Sequence, residues 1–197
     1  MLAYEEIGPA RFGQYESIPM ALTVGSVLAL EPLAGGLGGI ALVERPVTPY
    51  VKDFRTHEDV GPRRWAERWD ISNWAFFMAL EDGHPVGGAA VAARTAGVDM
   101  LAGRDDLAVL WDIRVREEYK GRGVAGRLLD MALDWCRTRG LIQMKIECQN
   151  TNVPACRFYQ RRGAVLSAID AHAYHSAEEY RHEAQLIWYL DIDTANT

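Results

Sequence analysis

Three groups of residues in this chain have the types and spacing to do chemistry. One is the glycine-rich run Gly121-Arg122-Gly123-Val124-Ala125-Gly126. Another is a pair of acids, Asp112 within an apolar stretch and Glu147 at the end of a second. The last is Tyr159, seven residues after Asn152. Glycines at the opening of a helix let the backbone approach a ligand closely. The helix's free N–H groups, carrying about half a positive charge, then face that ligand. Such a turn binds phosphate, although glycines can also do no more than permit a tight turn. An acid inside a strand costs free energy unless it has a partner or a task. Arg114, two residues beyond Asp112 and so on the same face, is one available partner.

Hydrophobic spacing shows which elements must position these groups. Leu107–Val115 (LAVLWDIRV) reads as a buried strand, and Leu128, Leu129, Ala132, Leu133, Trp135 and Cys136 recur at helical spacing up to Gly140. Leu141–Cys148 reads as a strand, and Asn152–Arg162 as a helix with Asn152 suited to its N-cap and Pro154 to an early position. Ala164–Ile169 and Ala184–Ile192 read as strands on either side of a polar loop, His172–Glu183. Upstream, Val24–Leu33 and Gly39–Val47 read as a hairpin that Pro46 and Pro49 end. A polar stretch, Tyr50–Gly61, leads to a helix opened by Pro62, with Trp65 and Trp69 packed on one face. Asn73–Glu81 and Pro85–Arg94 form a second hairpin around Asp82-Gly83-His84, with His84 exposed in the turn. Met1–Thr23 offers only a short amphipathic segment, Phe12–Met20. The pattern predicts one α+β domain over residues 1–197, with a mixed, mostly antiparallel central sheet flanked by helices.

Three phosphate-binding designs compete for the glycine turn. GRGVAG fits G-x-G-x-x-G, but in a dinucleotide fold the first glycine closely follows the strand of a βαβ unit. Here REEYK intervenes after Val115 and no βαβ alternation lies upstream. A P-loop fails because no G-K-[ST] occurs. In the third design, Lys120-Gly121-Arg122-Gly123-Val124-Ala125 resembles the [QR]-x-x-G-x-[GA] acyl-CoA motif of the GNAT acetyltransferase superfamily, with Lys in the first position as a departure. Asn152, Ala155 and Tyr159, followed by Gly163, resemble its N-x-x-A-x-x-x-Y signature, and the two motifs span a core of about residues 75–168. The resemblance implies a GNAT-like domain with acetyl-CoA as co-substrate. The backbone of Ile113-Arg114-Val115 would pair with the pantetheine arm, and residues Lys120 to Gly126 with Arg127 would meet the diphosphate. Asn152, Ala155 and Tyr159 would lie along the cofactor.

Composition agrees with that class. A net charge of −6 argues against a nucleic-acid binder and suits a cationic substrate. Arg114, Arg116, Lys120, Arg122 and Arg127 cluster about the proposed phosphate site, or form an ordinary solvated helix entrance. Cys136, Cys148 and Cys156 lack metal-ligand spacing, so no metal is expected, and buried thiols in a reducing cytoplasm are the simpler account. No stretch is apolar and long enough for a membrane span, and no signal peptide is evident. A homodimer is left open.

The implied reaction moves acetyl from acetyl-CoA to a primary amine. A lysine-type amine near pKa 10.4 must first lose a proton, a deficit of roughly 4 kcal/mol at neutral pH. A carboxylate can serve as base or orient the amine. Asp112 is the first candidate, unless its role is the Arg114 ion pair, and Glu147 is the second. Tyr159 resembles the superfamily tyrosine that protonates the departing thiolate, and it also fits a packing pair with Phe158. A cysteine nucleophile activated by histidine would be a different design, and a non-catalytic acyl-CoA sensor a third. Leu110–Val115, Ile146–Cys156, Asp170–Tyr174, Val43–Lys52 and Glu183–Tyr189 look like the corresponding stretches of streptothricin (nourseothricin) acetyltransferases. That narrower resemblance implies an antibiotic's β-lysine amine as acceptor, with Asp112, Glu147 and Tyr174 as substrate contacts.

Overall fold

A computed structural model describes residues 1–54 and 61–193, so the polar stretch expected over Tyr50–Gly61 lies outside them at 55–60. In chain order the strands are β1 (Leu2–Glu6), β2 (Ala21–Pro32), β3 (Ile40–Asp53), β4 (Ala75–Glu81), β5 (His84–Ala93), β6 (Leu107–Val115), β7 (Gln143–Gln149), β8 (Val165–Asp170) and β9 (Gln185–Asp191). The helices are α1 (Phe12–Glu16), α2 (Pro62–Arg68), α3 (Val124–Thr138) and α4 (Val153–Arg161). Among the described residues this is the expected α+β class: a mixed seven-stranded sheet with four flanking helices, and a separate ribbon of β2 and β3. The chain forms two compact units. One comprises Met1–Met20, Asp53–Lys145 and the residues from Asp191, and the other Ala21–Lys52 and Ile146–Leu190.

In the first unit β1, β4, β5 and β6 pair antiparallel in that order. Asp82 (φ 51°) and Gly83 (φ 81°) both take positive φ between β4 and β5, the geometry of a two-residue turn that matches strand twist. His84 is exposed beside it. Two adjacent glycines then set how closely the layers approach. A Cβ on Gly87 would stand 2.8 Å from Val124 of α3, and one on Gly88 would stand 2.6 Å from the Tyr15 ring of α1. Successive strand residues face opposite sides, so this pair admits α3 on one face and Tyr15 on the other. On the Tyr15 side, Phe12, Ile18, Trp65, Trp74, Phe76, Met78 and Val109 form one apolar cluster, with Trp69 and Trp111 packed against it. Trp65 and Trp69 therefore pack as expected. On the other side α3 buries Val124, Leu128, Leu129, Ala132, Leu133, Trp135 and Cys136.

In the second unit β8 and β9 pair antiparallel, Val165 opposite Tyr189. The Asn152 side chain caps α4 by accepting a hydrogen bond from the Ala155 amide at 3.3 Å. The prolines do not end β3, which runs through Pro46 and Pro49 to Asp53. Both strands of a two-stranded ribbon are edges, so a proline's missing N–H can face outward without breaking a ladder bond. At the far end of β3, Lys52 donates to Glu183, with side chains only 5% and 1% exposed, and its ammonium lies 4.3 Å from the Tyr180 ring. Two charges this deeply buried stand only as a pair.

Candidate active site

In the first unit the site residues lie on β6 and the turn after it. The register between β5 and β6 shifts where Ala90 faces Asp112 and Val91 faces Leu110, leaving Trp111 as the extra residue of a β-bulge. A bulge can put consecutive side chains on one face. The Trp111 ring meets Trp65 at 6.3 Å, and Tyr15, which meets the same Trp65, donates its hydroxyl to Asp112 Oδ2 at 2.5 Å. Arg114 Nε donates to that oxygen as well, at 2.6 Å, and both side chains of the ion pair are 2% exposed. Asp112 Oδ1 and Arg114 Nη2 are buried with no hydrogen-bond partner among the described residues. Burial, reinforced by the Asp112 charge, pushes the Tyr15 phenol well above its usual value.

The Tyr15 partnership makes a stability prediction. Tyr15→Phe leaves a buried carboxylate oxygen short of a donor and is expected to cost about 1–3 kcal/mol in urea unfolding. The sign of the pH dependence follows from the raised phenol. The folded state keeps its proton where the unfolded state, near pKa 10.0, releases it. The parent therefore loses stability as pH rises beyond about 10, and Tyr15→Phe shows a smaller alkaline loss. Equal alkaline slopes in the two proteins would contradict this account.

After β6, Gly121 and Gly123 take φ of 74° and 83°, the left-handed region open to glycine. Gly123 is the N-cap of α3 and supplies no side chain, so no side chain caps the first-turn amides. Apart from chain neighbours and the helix's own backbone, a Cβ on Gly121, Gly123 or Gly126 would meet nothing within 4 Å among the described residues, so the backbone is bare on that side. Lys120 pairs with Glu117 at 2.5 Å, and Arg122 reaches Glu81 at 3.2 Å while lying over the Tyr119 ring. Arg127 is exposed. The basic cluster is thus divided. Arg114 is committed to Asp112, and Arg116 turns in to donate to the Pro85 and Ser17 carbonyls.

In the second unit Glu147 and Gln149 share a face of β7, both half-buried between buried neighbours. Tyr174, from the loop before β9, donates its hydroxyl to Glu147 Oε1 at 2.6 Å and accepts from Gln149 Nε2 at 3.3 Å. Burial, then the Glu147 charge, raises the Tyr174 phenol, so it keeps its proton and remains a donor. Asn150 fastens the end of that loop, accepting from the Ala184 amide at 2.8 Å and donating to the Leu28 carbonyl at 3.0 Å. On α4, Ala155 is half-buried in the first turn and Tyr159 is 5% exposed with its ring beside Phe158. The structure therefore brings Glu147 together with Tyr174, and Asp112 with Arg114. The contacts of Tyr15 with Asp112, of Asn150 with Leu28 and Ala184, and of Lys52 with Glu183 join residues far apart along the chain, and local spacing does not foretell them.

All three cysteines are free and buried. Burial pushes the Cys136 thiol up to about 12, which removes it as a thiolate nucleophile near neutral pH. Among the described residues no group of three or more His, Cys, Asp or Glu is placed to hold a metal, and no helix is long and apolar enough to cross a membrane.

Comparison with known proteins bears on this arrangement. Residues 44–164 match the model of the acetyltransferase (GNAT) family. The streptothricin acetyltransferase of Escherichia coli is 29% identical over 151 residues, 77% of this chain and 76% of that protein. The streptothricin acetyltransferase of Streptomyces lavendulae is 30% identical over 146 residues, 73% of each chain. Among solved structures, a Bacillus anthracis protein assigned as a streptothricin acetyltransferase, in complex with acetyl coenzyme A, superposes with a TM-score of 0.77. It is 24% identical, with 98% of this chain and 99% of that one covered, a likeness of fold.

Proposed function

The chain belongs to the acetyltransferase (GNAT) family with acetyl-CoA as co-substrate, and on that premise we propose that its acceptor is the β-lysine amine of streptothricin. Support comes from the two named relatives. The observation that carries the reading to the level of a site is the half-buried Glu147 carboxylate. Its Oε1 is held by Tyr174, and its Oε2 accepts no hydrogen bond from the described residues. An oriented carboxylate with one oxygen available is suited to gather a primary ammonium and take its proton.

The remaining roles are those the family resemblance implies for these residues. The bare amides of α3's first turn, with Lys120, Arg122 and Arg127, take the CoA diphosphate. The backbone of Ile113, Arg114 and Val115 pairs with pantetheine, and the second signature assigns Asn152 and Ala155 to the cofactor as well. Tyr159 returns a proton to the leaving thiolate. Asp112 serves the reaction indirectly: with both partners on Oδ2 it locks Tyr15 and Arg114 and so stiffens the bulged strand. Glu147 carries the base role. The enzyme works in the cytoplasm, a compartment that suits three unpaired cysteines.

The test is acetyl-CoA turnover against streptothricin, aminoglycosides, polyamines and peptides, with free thiol as readout. Streptothricin is expected to give the highest kcat/KM, by at least about tenfold, with one acetyl group on the β-lysine moiety by mass spectrometry. Preference for another amine would move the acceptor and leave the acetyltransferase standing. No amine-dependent thiol release would favour an acyl-CoA sensor.

A further inference from the structure

Cys148, near the end of β7, and Cys156, in α4, place their sulfurs 3.5 Å apart. Neither has a part in acetyl transfer as described above. Both residues are 3% exposed, and both sulfurs lie against the same backbone oxygen, that of Gln149, at 3.5 and 3.8 Å. Cys148 also approaches the carbonyl of Asn152, the cap of α4, at 3.7 Å. Cys136, on α3 in the other unit, has no such neighbour among the described residues.

We propose that Cys148 and Cys156 form an oxidation site: a two-electron oxidant converts them to an intrachain disulfide that joins β7 to α4 and weakens acetyl-CoA binding. The hydrogen bond from Cys148 lowers the Cys156 thiol, which makes Cys156 the first nucleophile. With diamide, the Cys156 thiolate adds to one nitrogen of the N=N bond. The Cys148 thiolate then attacks the Cys156 sulfur and expels the reduced nitrogen. One S–S bond forms and two S–H bonds are lost. The two electrons and two protons convert the diazene to a hydrazine. Local opening of the first turn of α4 admits the small oxidant.

A disulfide requires an S–S separation of about 2.05 Å, so the sulfurs must close by roughly 1.5 Å. That shift falls on the end of β7 or on the turn that carries Asn152 and Ala155. The effect on cofactor affinity therefore rests on the proposed pantetheine contacts of those two residues, whereas disulfide formation does not.

The experiment treats the full chain with diamide, removes the reagent, maps disulfides by peptide mass, and titrates acetyl-CoA by calorimetry. The parent is expected to lose two hydrogens, show a Cys148–Cys156 peptide, and bind acetyl-CoA about tenfold more weakly, with recovery in dithiothreitol. Cys136→Ser should behave as the parent, while Cys148→Ser and Cys156→Ala should neither cross-link nor lose affinity. Three free thiols in treated parent would overturn the proposal. So would a mapped disulfide with unchanged affinity, or weakening that persists in both Cys148→Ser and Cys156→Ala. No acceptor is present in the titration, so a failure of streptothricin acetylation leaves this result untouched. Asn152→Ala binding acetyl-CoA as the parent does would count against the pantetheine contact and the affinity change built on it, and not against disulfide formation.

Discussion

Replacing Glu147 by glutamine is expected to lower kcat/KM for the acceptor by about a hundred- to a thousandfold, with the Kd for acetyl-CoA within about twofold of the parent. The range is that of a positioned general base. Glutamine keeps the length of the side chain, can still accept from Tyr174 Oη, and removes only the negative charge and the proton acceptor. An amine that arrives protonated then lacks both attraction and a place for its proton. Tyr174→Phe is the companion change. It leaves the charge and removes the 2.6 Å bond that orients it, so a smaller loss, about tenfold, is expected. If Glu147→Gln turns over as the parent does while Asp112→Asn, correctly folded, is inactive, the base has been assigned to the wrong carboxylate.

Gly123→Val is expected to weaken CoA binding by about a hundredfold while leaving the chain folded. Gly123 holds φ at 83°, where a β-branched residue is strained by 1–3 kcal/mol or so. Apart from its chain neighbours, nothing among the described residues lies within 4 Å of the new Cβ, so packing there does not oppose the change. The strain is relieved by turning the backbone back, which re-aims the first-turn amides of α3. The side chain also projects where a diphosphate must approach. Gly126→Ala is the contrasting variant: Gly126 lies inside α3 and has no positive φ, so alanine suits the helix there. A fall in CoA affinity with Gly126→Ala would come from crowding of the ligand alone.

The parts of this molecule that were legible beforehand share a physical property: their evidence is local. The strand Leu107–Val115 is legible to the residue, because a buried strand declares itself in a run of apolar side chains. Asn152 was readable as a cap because capping is settled by the three residues that follow. Hairpin turns and the glycine-opened α3 were readable for the same reason. β1 was not. Leu2–Glu6 carries two glutamates, and it is a strand because β4, far along the chain, offers it an edge. The extent of β3 past two prolines was hidden because only the sheet's two-stranded character makes prolines harmless there.

The site divides along the same line. Strand alternation put Asp112 and Arg114 on one face, and the ion pair between them is present at 2.6 Å. The third member, Tyr15, lies 97 residues away and enters through the close approach that Gly88 permits. The bulge at Trp111, where Trp111 meets Trp65 of α2 and its neighbour Asp112 accepts from Tyr15 of α1, leaves no trace in composition. Glu147 lies in the stretch Leu141–Cys148 that reads as a strand, whereas Gln149 falls one residue beyond it, and the phenol that binds both comes from a polar loop with no periodicity to read. Long-range pairs of this kind are set by topology.

The most direct measurement is calorimetric titration of CoA into the folded chain. A single saturable site, weakened about a hundredfold by Gly123→Val and unchanged by Glu147→Gln, is the predicted result. A folded parent that gives no heat with CoA, or a Gly123→Val protein that binds as tightly as the parent, would contradict it.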